Sequence, residues 1–510
     1  MRTPHKLRFG LILLLPLWPF ALLRAAEDTL LPIPDPAAIT KAEKLIADIY
    51  KPYPPTKPAD QKALALKLLD QAKETATDPA ARYVLLRDAA KFAATNADLD
   101  TALLAIAETT RVYQSDAAAL KADALRKAAA TITQPAPALE LLMPLLKLSD
   151  QAMKEGNYAL SLEAATAADK SCRIANDVPM TTLVREQVAE AGLVQTAFQT
   201  AKPSLEKLAT TPEDPDANLA AGKFLCYVRN QWDLGLPMLA KGSDTAIKSL
   251  VALDKAAGNE AEAKTKVADA WWEIGQSQNG IAKRGILRRA AYWYDQSLPT
   301  LTGLTRPLAQ KRFDEASAGG RQGMAKAVDL LSLIQPASDT VSGKWEMQSG
   351  AVKSDGAGIT RIEPPYEPPA EYDFRIEFTR TRGNDCVLQT VSSHETSFSW
   401  AMGAFHDTVF GFHLVGGKDC GNNPTTVRAK ICLDLNRRYT SFVQVRKDVI
   451  RAYVNGKLIS ELKTNFSDLS AEGNWRLRNA KGIAFGCQDT PTIFHSIVVF
   501  EVTGTGKLTR

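Results

Sequence analysis

The sequence predicts a multidomain α+β protein, in which an N-terminal α-helical solenoid is followed by a C-terminal antiparallel β-sandwich. Residues 37–334 are rich in Ala, Leu and Lys and show the period of amphipathic helices. From residue 342 onward, short segments alternate apolar and polar side chains between turns spaced roughly 8–12 residues apart. The chain has 510 residues, which is too long for one hydrophobic core.

Composition gives no case for a nucleic-acid partner, and we predict none. The formal net charge of +5 is small for this length, and Lys and Arg are dispersed among Asp and Glu. A groove for single strands would need basic runs interleaved with aromatic residues. With 45% hydrophobic and 23% charged residues, the chain has the composition of an ordinary globular protein.

The N-terminus has the outline of a secretory signal peptide. Basic residues precede the apolar run Phe9–Leu23, which two prolines interrupt and which is shorter than the roughly 20 residues of a membrane span. We predict a signal peptide over residues 1–26 and a secreted or periplasmic protein of the cell envelope. Because Arg24 occupies position −3 of a cut after Ala26, an uncleaved N-terminal anchor stays open. We predict no other membrane contact.

Helical segments of about 15 residues follow in series, joined by short connections that favour antiparallel neighbours. Two Asp-Pro pairs, Asp78-Pro79 and Asp214-Pro215, predict an N-cap followed by proline in the first helical turn. The clearest predicted helices are Asp60–Thr75, Pro79–Thr95, Asp98–Tyr113 and Asp116–Thr131.

One segment resembles the tetratricopeptide pattern. It places Leu145, Leu146 and Leu148 before a Gly156-Asn157-Tyr158 turn, with small residues where two helices would cross. We therefore predict an α-helical repeat region over 37–210 and a tetratricopeptide-like region rich in Trp and Tyr over 211–335. The resemblance implies a scaffold that mediates protein–protein interaction.

The second helical region concentrates large aromatic side chains. They form either a groove that stacks sugars or a peptide, or a core that fills the gaps of an Ala-rich helical stack. Spacing of three and four residues from small residues favours the core. The side chains are Trp232, Trp271, Trp272, Tyr292, Trp293 and Tyr294.

After a helix-poor linker at Gln335–Asp339, strand composition takes over and predicts a sandwich or jelly roll over 342–503. The stretch Tyr439–Leu462 predicts a three-stranded meander, and Asn455-Gly456 predicts a type I′ turn. Further strands are predicted at Ser342–Gln348, Ala351–Lys353, Tyr372–Phe378, Val387–Thr390, Ser397–Gly403, Val409–Val415, Arg428–Leu433, Trp475–Arg478, Gly482–Gly486 and Thr492–Val502.

The order of these strands is similar to that of the concanavalin A-like lectin/glucanase superfamily. The resemblance rests on Y-D-F-R-I-E-F, the V-Q-V-R-K-D-V-I-R-A-Y-V-N-G-K hairpin, G-I-A-F-G and the final strand I-F-H-S-I-V-V-F-E-V. Within that superfamily it points to laminin-G-like modules and 3-keto-disaccharide hydrolase-like domains. It implies a sandwich that binds carbohydrate or protein, or one that hydrolyses a sugar.

Carboxylates on the first long strand are the candidate catalytic pair. Glycosidases of this superfamily use E-x-D-x-E or E-x-D-x-x-E, whereas Glu371, Asp373 and Glu377 have a different spacing. We expect Asp373, Arg375 and Glu377 to form a solvated strand face with cross-strand ion pairs. We predict no catalytic residue and no cofactor.

Cysteines and histidines give no metal motif. One or two disulfides and buried free thiols both stay open for Cys386, Cys420, Cys432 and Cys487, whereas Cys172 and Cys226 are predicted core residues. No two histidines have the spacing of a ligand pair, and His495 is predicted to be partly buried and hydrogen-bonded. The other histidines of the sandwich are His394, His406 and His413.

The best binding candidate is the loop-rich stretch Ser399–Arg428, which sets aromatic residues beside planar donors and acceptors. Sugar recognition uses these residue types, although surface loops also hold Gly, Asn and Asp for their turns. The predicted ligand-binding residues are Trp400, His406, His413, Asp419, Asn422, Asn423 and Arg428.

These observations predict a secreted or periplasmic, non-enzymatic binding protein. Its sandwich would hold a glycan or an extracytoplasmic protein, and its helices would provide an assembly surface. A carbohydrate-active hydrolase is the alternative, and a structural envelope protein whose sandwich packs on the helices is a third possibility.

Overall fold

A computed structural model describes residues 30–320, 326–348, 350–393, 396–428, 433–471 and 473–510. It confirms the fold class, with helices in the N-terminal part and antiparallel sheets in the C-terminal part. The predicted signal peptide (1–26), His394 and Cys432 lie outside the described residues. Within the described ranges, no helix has the length and apolar character needed to cross a membrane.

The described residues divide into two compact units, one formed by residues 30–92 with 101–120 and the other by 93–100 with the described part of 121–510. The helices are α1 Pro36–Ile49, α2 Pro58–Glu74, α3 Pro79–Thr95, α4 Leu99–Val112, α5 Ala117–Ala130, α6 Pro135–Lys154, α7 Tyr158–Ala175, α8 Val178–Thr210, α9 Pro215–Lys223, α10 Trp232–Lys241, α11 Thr245–Lys255, α12 Ala261–Gln276, α13 Gly280–Ser297, α14 Thr305–Gly320 and α15 Pro336–Asp339. A π-helical turn at Phe224–Val228 joins α9 to α10.

The helix ends follow the sequence closely. Each of the four predicted helices begins and ends within two residues of α2, α3, α4 and α5. The carboxylate of Asp78 accepts from the backbone N–H of Ala81 at 3.0 Å, and that of Asp214 accepts from Ala217 at 2.9 Å. Both Asp-Pro caps are therefore confirmed.

In the first unit, Tyr113, which follows α4, packs against the start of α3. Its hydroxyl donates to the Pro79 carbonyl at 2.6 Å, and its ring lies 5.3 Å from that of Tyr83. The backbone N–H of Leu31 donates to the Val112 carbonyl at 2.8 Å, which ties the segment before α1 to the end of α4.

The tetratricopeptide-like segment forms the helix pair α6 and α7. Gly156 has a φ of +80° in the turn between them, and the hydroxyl of Ser149 donates to the Ser161 carbonyl at 2.9 Å across the pair. Assignment of the helices to a tetratricopeptide-like repeat stays a proposal.

The aromatic side chains of the second helical region form a core around one carboxylate, which confirms the core interpretation. Trp232, Trp271 and Tyr294 are buried. Asp254 accepts from the indole of Trp271 at 2.6 Å, from that of Trp293 at 2.8 Å and from Nε of Arg289 at 3.0 Å. Tyr292 remains half exposed.

The strands are β1 Lys326–Asp329, β2 Thr340–Ser342, β3 Trp345–Gln348, β4 Ala351–Ser354, β5 Ile359–Ile362, β6 Tyr366–Glu367, β7 Glu371–Arg380, β8 Val387–Ser393, β9 Thr396–Gly403, β10 Val409–His413, β11 Val427–Arg428, β12 Arg438–Val445, β13 Val449–Val454, β14 Lys457–Lys463, β15 Ala484–Gln488, β16 Thr492–Thr503 and β17 Lys507–Leu508.

Over the described residues, two antiparallel sheets make up the sandwich. Sheet I has eight strands, in the order β14-β13-β12-β7-β16-β4-β3, with β1 paired to β16, and sheet II has seven, in the order β11-β10-β9-β8-β15-β5-β2. Side chains from alternate positions of both sheets form the core, including Phe374 of β7, Phe398 of β9 and Val499 of β16.

The predicted meander is confirmed as β12-β13-β14. Its last turn has positive φ at Asn455 (+45°) and Gly456 (+76°), as a type I′ turn requires. This turn packs against the Asn176-Asp177 turn between α7 and α8, so closely that a Cβ at Gly456 would collide with the Asn176 backbone. The helices therefore dock on sheet I.

Two local predictions are wrong. Trp475–Arg478 is not a strand, because a 3-10 turn at Gly473–Trp475 starts from positive φ at Gly473 (+55°). The linker contains α15, closed by the Asp339 carboxylate, which accepts from the backbone N–H of Gln335 at 2.7 Å. The domain limits stay a proposal, and β1 extends sheet I to residues before 342.

The cysteines that the structure describes, Cys172, Cys226, Cys386, Cys420 and Cys487, are free and buried. Cys172 and Cys226 are fully buried, which confirms their prediction as core residues.

Candidate functional site

Trp400 lies in the core of the sandwich. Alternation along β9 directs Phe398, Trp400 and Met402 inward, and Trp400 is 0% exposed. Its ring centroid lies 5.2 Å from that of Phe412, and its indole N–H has no partner among the described residues. From this position Trp400 cannot stack a surface ligand, and the Phe398-Trp400-Met402 alternation was the sequence signal for it.

Asn423 holds the loop that follows β10. Its amide nitrogen donates to the carbonyls of Phe412 (2.7 Å) and Asp419 (2.8 Å), and its amide oxygen accepts from the backbone N–H of Thr425 at 2.9 Å. The side chain is buried, so its hydrogen bonds position the loop instead of facing a ligand.

Residues 420–421 bring four of the predicted residues together. Asp419 accepts from the Gly421 N–H at 2.8 Å and from the Asn422 amide at 3.1 Å. Arg428 donates to the Gly421 carbonyl at 3.0 Å. Nδ1 of His413 accepts from the Cys420 N–H at 3.4 Å, at the same loop. Asn422 and Arg428 are exposed at its surface.

A strained turn follows β9. Phe405, His406 and Asp407 have φ of +52°, +60° and +65°, which is left-handed backbone that costs about 1 kcal/mol or more for each such residue. The carboxylate of Asp407 is paired at 2.7 Å with the guanidinium of Arg380, which is buried. Arg380 also donates to the Leu433 carbonyl and thereby holds the turn in place.

This turn presents an aromatic ring that the predicted set did not include. Phe405 is 51% exposed, and its ring lies so close to Gly421 that a Cβ there would be 2.9 Å from Cε2 of the ring. The turn and the loop therefore form one continuous surface. We call it the turn–loop surface; it consists of Phe405, His406, Asp419, Asn422 and Arg428.

Phe405 and His406 follow Gly403-Ala404 at the end of a strand, which the sequence shows. That position indicates a turn, and Phe405 lies inside the predicted loop-rich stretch, but the ion pair of Asp407 with the distant Arg380 has no local signal. The sequence therefore indicates the turn and not which aromatic ring of the stretch is exposed. The ligand-binding role of the predicted set stays a prediction.

The carboxylates of β7 are buried, which corrects the expectation of a solvated strand face. Asp373 is 0% exposed and Glu377 is 4% exposed. Asp373 pairs with Arg446 at 2.7 Å, and Glu377 pairs with the fully buried Arg375 at 2.6 Å. Arg446 directly follows β12, so its pair with Asp373 joins neighbouring strands as expected, whereas Arg375 and Glu377 pair along β7 itself. The helices cover the face that the alternation predicted to be solvated.

Burial sets the electrostatics of this covered face. It raises the pKa of Asp373, although Arg446 acts in the opposite direction. The pKa of Asp177, in the turn that docks on sheet I, is likewise raised by burial, and the positive charge of Arg375 opposes that shift. The covered face is a set of desolvated, mutually compensating charges.

His495 is a partly buried histidine of β16, as predicted. It shares a 2.9 Å hydrogen bond with the hydroxyl of Thr379, and burial lowers its pKa to about 4. Within the part of the chain that the structure describes, no group of three or more His, Cys, Asp or Glu side chains is arranged to hold a metal ion.

No family model and no curated protein matches the sequence. Among solved structures, the carbohydrate-binding module CBM66 from Bacillus subtilis is 14% identical with a TM-score of 0.25, and the match covers 32% of this chain and 94% of that one. A putative glycosyl hydrolase from Parabacteroides distasonis is 14% identical with a TM-score of 0.25, over 34% of this chain and 99% of that one.

A protein of unknown function with a galectin-like fold, also from Bacillus subtilis, is 10% identical with a TM-score of 0.23, over 31% of this chain and 89% of that one. Similarities this low in identity and TM-score are not evidence for what this chain binds or does.

Proposed function

We propose that this chain is a non-enzymatic binding protein, secreted or periplasmic, whose sandwich binds a carbohydrate at the turn–loop surface. In this proposal the helices mediate contacts with other proteins. The observation that carries it is the exposed Phe405 ring, held in a strained turn beside Asp419, Asn422 and Arg428.

The chemistry of a pyranose matches this set of side chains. One face of the sugar presents C–H groups that pack on an aromatic ring, and its rim presents hydroxyls that both donate and accept. Asp419 supplies carboxylate acceptors, Asn422 an amide and Arg428 guanidinium donors beyond the one that is bonded to Gly421. Strained left-handed residues also concentrate at binding sites, because the rest of the fold holds them there.

The state of the β7 carboxylates supports a binding protein over a hydrolase. A glycosidase needs an acid and a nucleophile or base that can reach the substrate. Asp373 and Glu377 are instead buried beneath the helices and paired with arginines. In this position neither carboxylate can contact a sugar.

The test is a glycan-array screen of the full-length protein, followed by titration of each glycan that binds. Phe405→Ala and Asn422→Ala are expected to weaken binding at least roughly tenfold, because each removes a direct contact. Tyr292→Ala is the matched control, since Tyr292 is 50% exposed on the helical part and Phe405 is 51% exposed.

Binding that survives both turn–loop variants would place the site elsewhere and overturn the assignment of residues. The absence of any glycan ligand for the folded protein would overturn the carbohydrate proposal itself. Trp400→Ala is unsuitable here, because a cavity in the core would lower stability by about 3–5 kcal/mol and confound the result.

A further inference from the structure

A large cleft lies where the helices meet sheet I, away from the turn–loop surface. Its volume is about 1150 Å³, and its walls come from α6, α8, α13 and α14 on one side and from β1, β16 and the residues after β16 on the other. Small-molecule sites usually occupy about 300–1,000 Å³, so the cleft has room for a sizeable ligand.

Much of the wall is apolar. Leu183 comes from α8, Ala291 from α13 and Val328 from β1, and Leu333 follows β1. These four side chains are half-buried, so part of their apolar surface is open to the cleft. An elongated hydrocarbon placed along them would leave water and contribute about 0.8 kcal/mol per buried CH₂ group.

Most charged groups of the cleft are already compensated. Lys147 pairs with Asp329 at 2.9 Å, and Lys154 pairs with Asp150 at 2.7 Å. Glu190 pairs with Arg284, which lies behind the lining. These pairs leave little net charge for a ligand to neutralise.

The carboxylate of Glu501, also in the lining, accepts from the Tyr366 hydroxyl and from the Gly506 N–H, each at 2.7 Å. Among the lining cations that the structure describes, Arg288 is the one without an ion pair. Its Nε donates to the Gly320 carbonyl at 2.9 Å, which fixes the guanidinium, but no carboxylate of the described residues is paired with it. Burial lowers its pKa, so its charge is poorly solvated. A half-buried guanidinium of this kind in an apolar wall is complementary to a carboxylate, which it can bind through both Nη groups.

We infer that the cleft binds one amphiphilic carboxylate, with its head group on Arg288 and its hydrocarbon chain along Leu183, Val328 and Leu333. The ligand class is a long-chain carboxylic acid. This site is separate from the proposed carbohydrate site, and its test does not depend on that proposal.

The experiment is a calorimetric titration of the full-length protein with dodecanoate, kept below its critical micelle concentration. It measures the affinity and the number of molecules bound per chain. We expect saturable binding of one molecule per chain. Octanoate is expected to bind roughly 100-fold more weakly, because four fewer CH₂ groups are buried. Dodecanol and dodecyltrimethylammonium have the same chain without the negative charge, and each is expected to bind at least roughly tenfold more weakly.

Two variants test the position of the ligand. Arg288→Gln should weaken dodecanoate binding roughly 10- to 100-fold, because it removes the charge-assisted hydrogen bonds. Ala291→Phe, one turn along α13 on the cleft wall, should block the chain while leaving the charge in place. Arg185→Gln, an exposed residue of α8 outside the cleft lining, is the control.

Several outcomes would overturn the inference. They are no saturable binding of dodecanoate, equal binding of the cationic analogue, and unchanged affinity in Arg288→Gln. If Arg288→Gln fails to fold, unchanged affinity in Ala291→Phe overturns it equally.

Discussion

The outer faces of the two sheets differ in side-chain polarity and in what covers them. The outer face of sheet I contains Asp373, Arg375 and Glu377, which alternate like a solvated strand and yet are buried beneath helices. The outer face of sheet II contains small and apolar side chains such as Leu388, Ala401 and Val409, covered by loops of the sandwich itself.

The difference teaches that a polar alternation defines two faces but does not say what covers them. Sheet I gains a second layer from helices more than 150 residues away in sequence, such as the α7–α8 turn at Asn176-Asp177. Sheet II is covered locally, and its loops leave Phe405 exposed beside Asn422. The buried carboxylates of β7 lie on the first face, and the proposed ligand contacts lie at the edge of the second.

The substitution with the largest expected effect on stability tests whether the outer face of sheet I is desolvated. Arg375→Ala should lower the free energy of unfolding by about 3–5 kcal/mol, because the buried Glu377 would keep only its longer, 3.7 Å contact with the half-exposed Arg438. Arg451→Ala, at the exposed pair with Glu461, should cost less than about 1 kcal/mol. Urea denaturation followed by tryptophan fluorescence measures both, and equal losses would contradict burial of this face.

A second substitution tests the docking of the helices. Gly456→Ala should cost about 2–4 kcal/mol, because it combines a strained positive φ with a collision against the Asn176 backbone. Gly416→Ala, in the loop after β10 of sheet II, has a φ of +59° and no heavy atom within 4 Å of the added Cβ. It should cost only about 1 kcal/mol.

The difference between the two glycine variants isolates the contact between helix and hairpin. Thermal unfolding of the two proteins gives the comparison. Equal shifts in Tm would mean that the hairpin does not rest on the helical turn.

The covered face also predicts a dependence on pH. The pKa of His495 is lowered from 6.5 to about 4 in the folded protein, so the folded state favours the neutral ring. Its contribution to stability is therefore fully present above pH 6.5 and is lost as the pH falls from 6.5 to 4. His495→Gln should flatten the fall in stability over that window, as urea unfolding at several pH values would measure.

His406→Gln is the control for this measurement, since His406 is exposed in the strained turn. If the free energy of unfolding of His495→Gln falls between pH 6.5 and 4 as steeply as that of the wild-type protein, the result would contradict the burial of His495.

The smallest expected effect on stability is that of a substitution at the edge of sheet II. Phe405→Gly should change the free energy of unfolding by less than about 1 kcal/mol, because release of the left-handed strain offsets the lost ring contact. Glycan binding should nevertheless be lost. A large destabilisation, measured by thermal unfolding, would indicate that Phe405 serves the fold and not a ligand.

Much of the fold could be predicted because it is encoded locally. The helix α3 begins at Pro79 after an Asp78 cap, and the hairpin turns at Asn455-Gly456, since each depends on a few neighbouring residues. The candidate site was predicted as seven residues of the stretch Ser399–Arg428. Asp419, Asn422 and Arg428 converge there, but Trp400 points inward and Phe405 takes its place at the surface.

The sequence by itself determined the order of helices and strands, the position of the turns and the alternation of each strand, because these follow from the local backbone preferences and side-chain periods. Only the tertiary structure decided which face the helices cover and which aromatic ring stays exposed. Both outcomes depend on contacts between distant segments, such as Arg380 with Asp407 and Gly456 with Asn176, and no local pattern records those contacts.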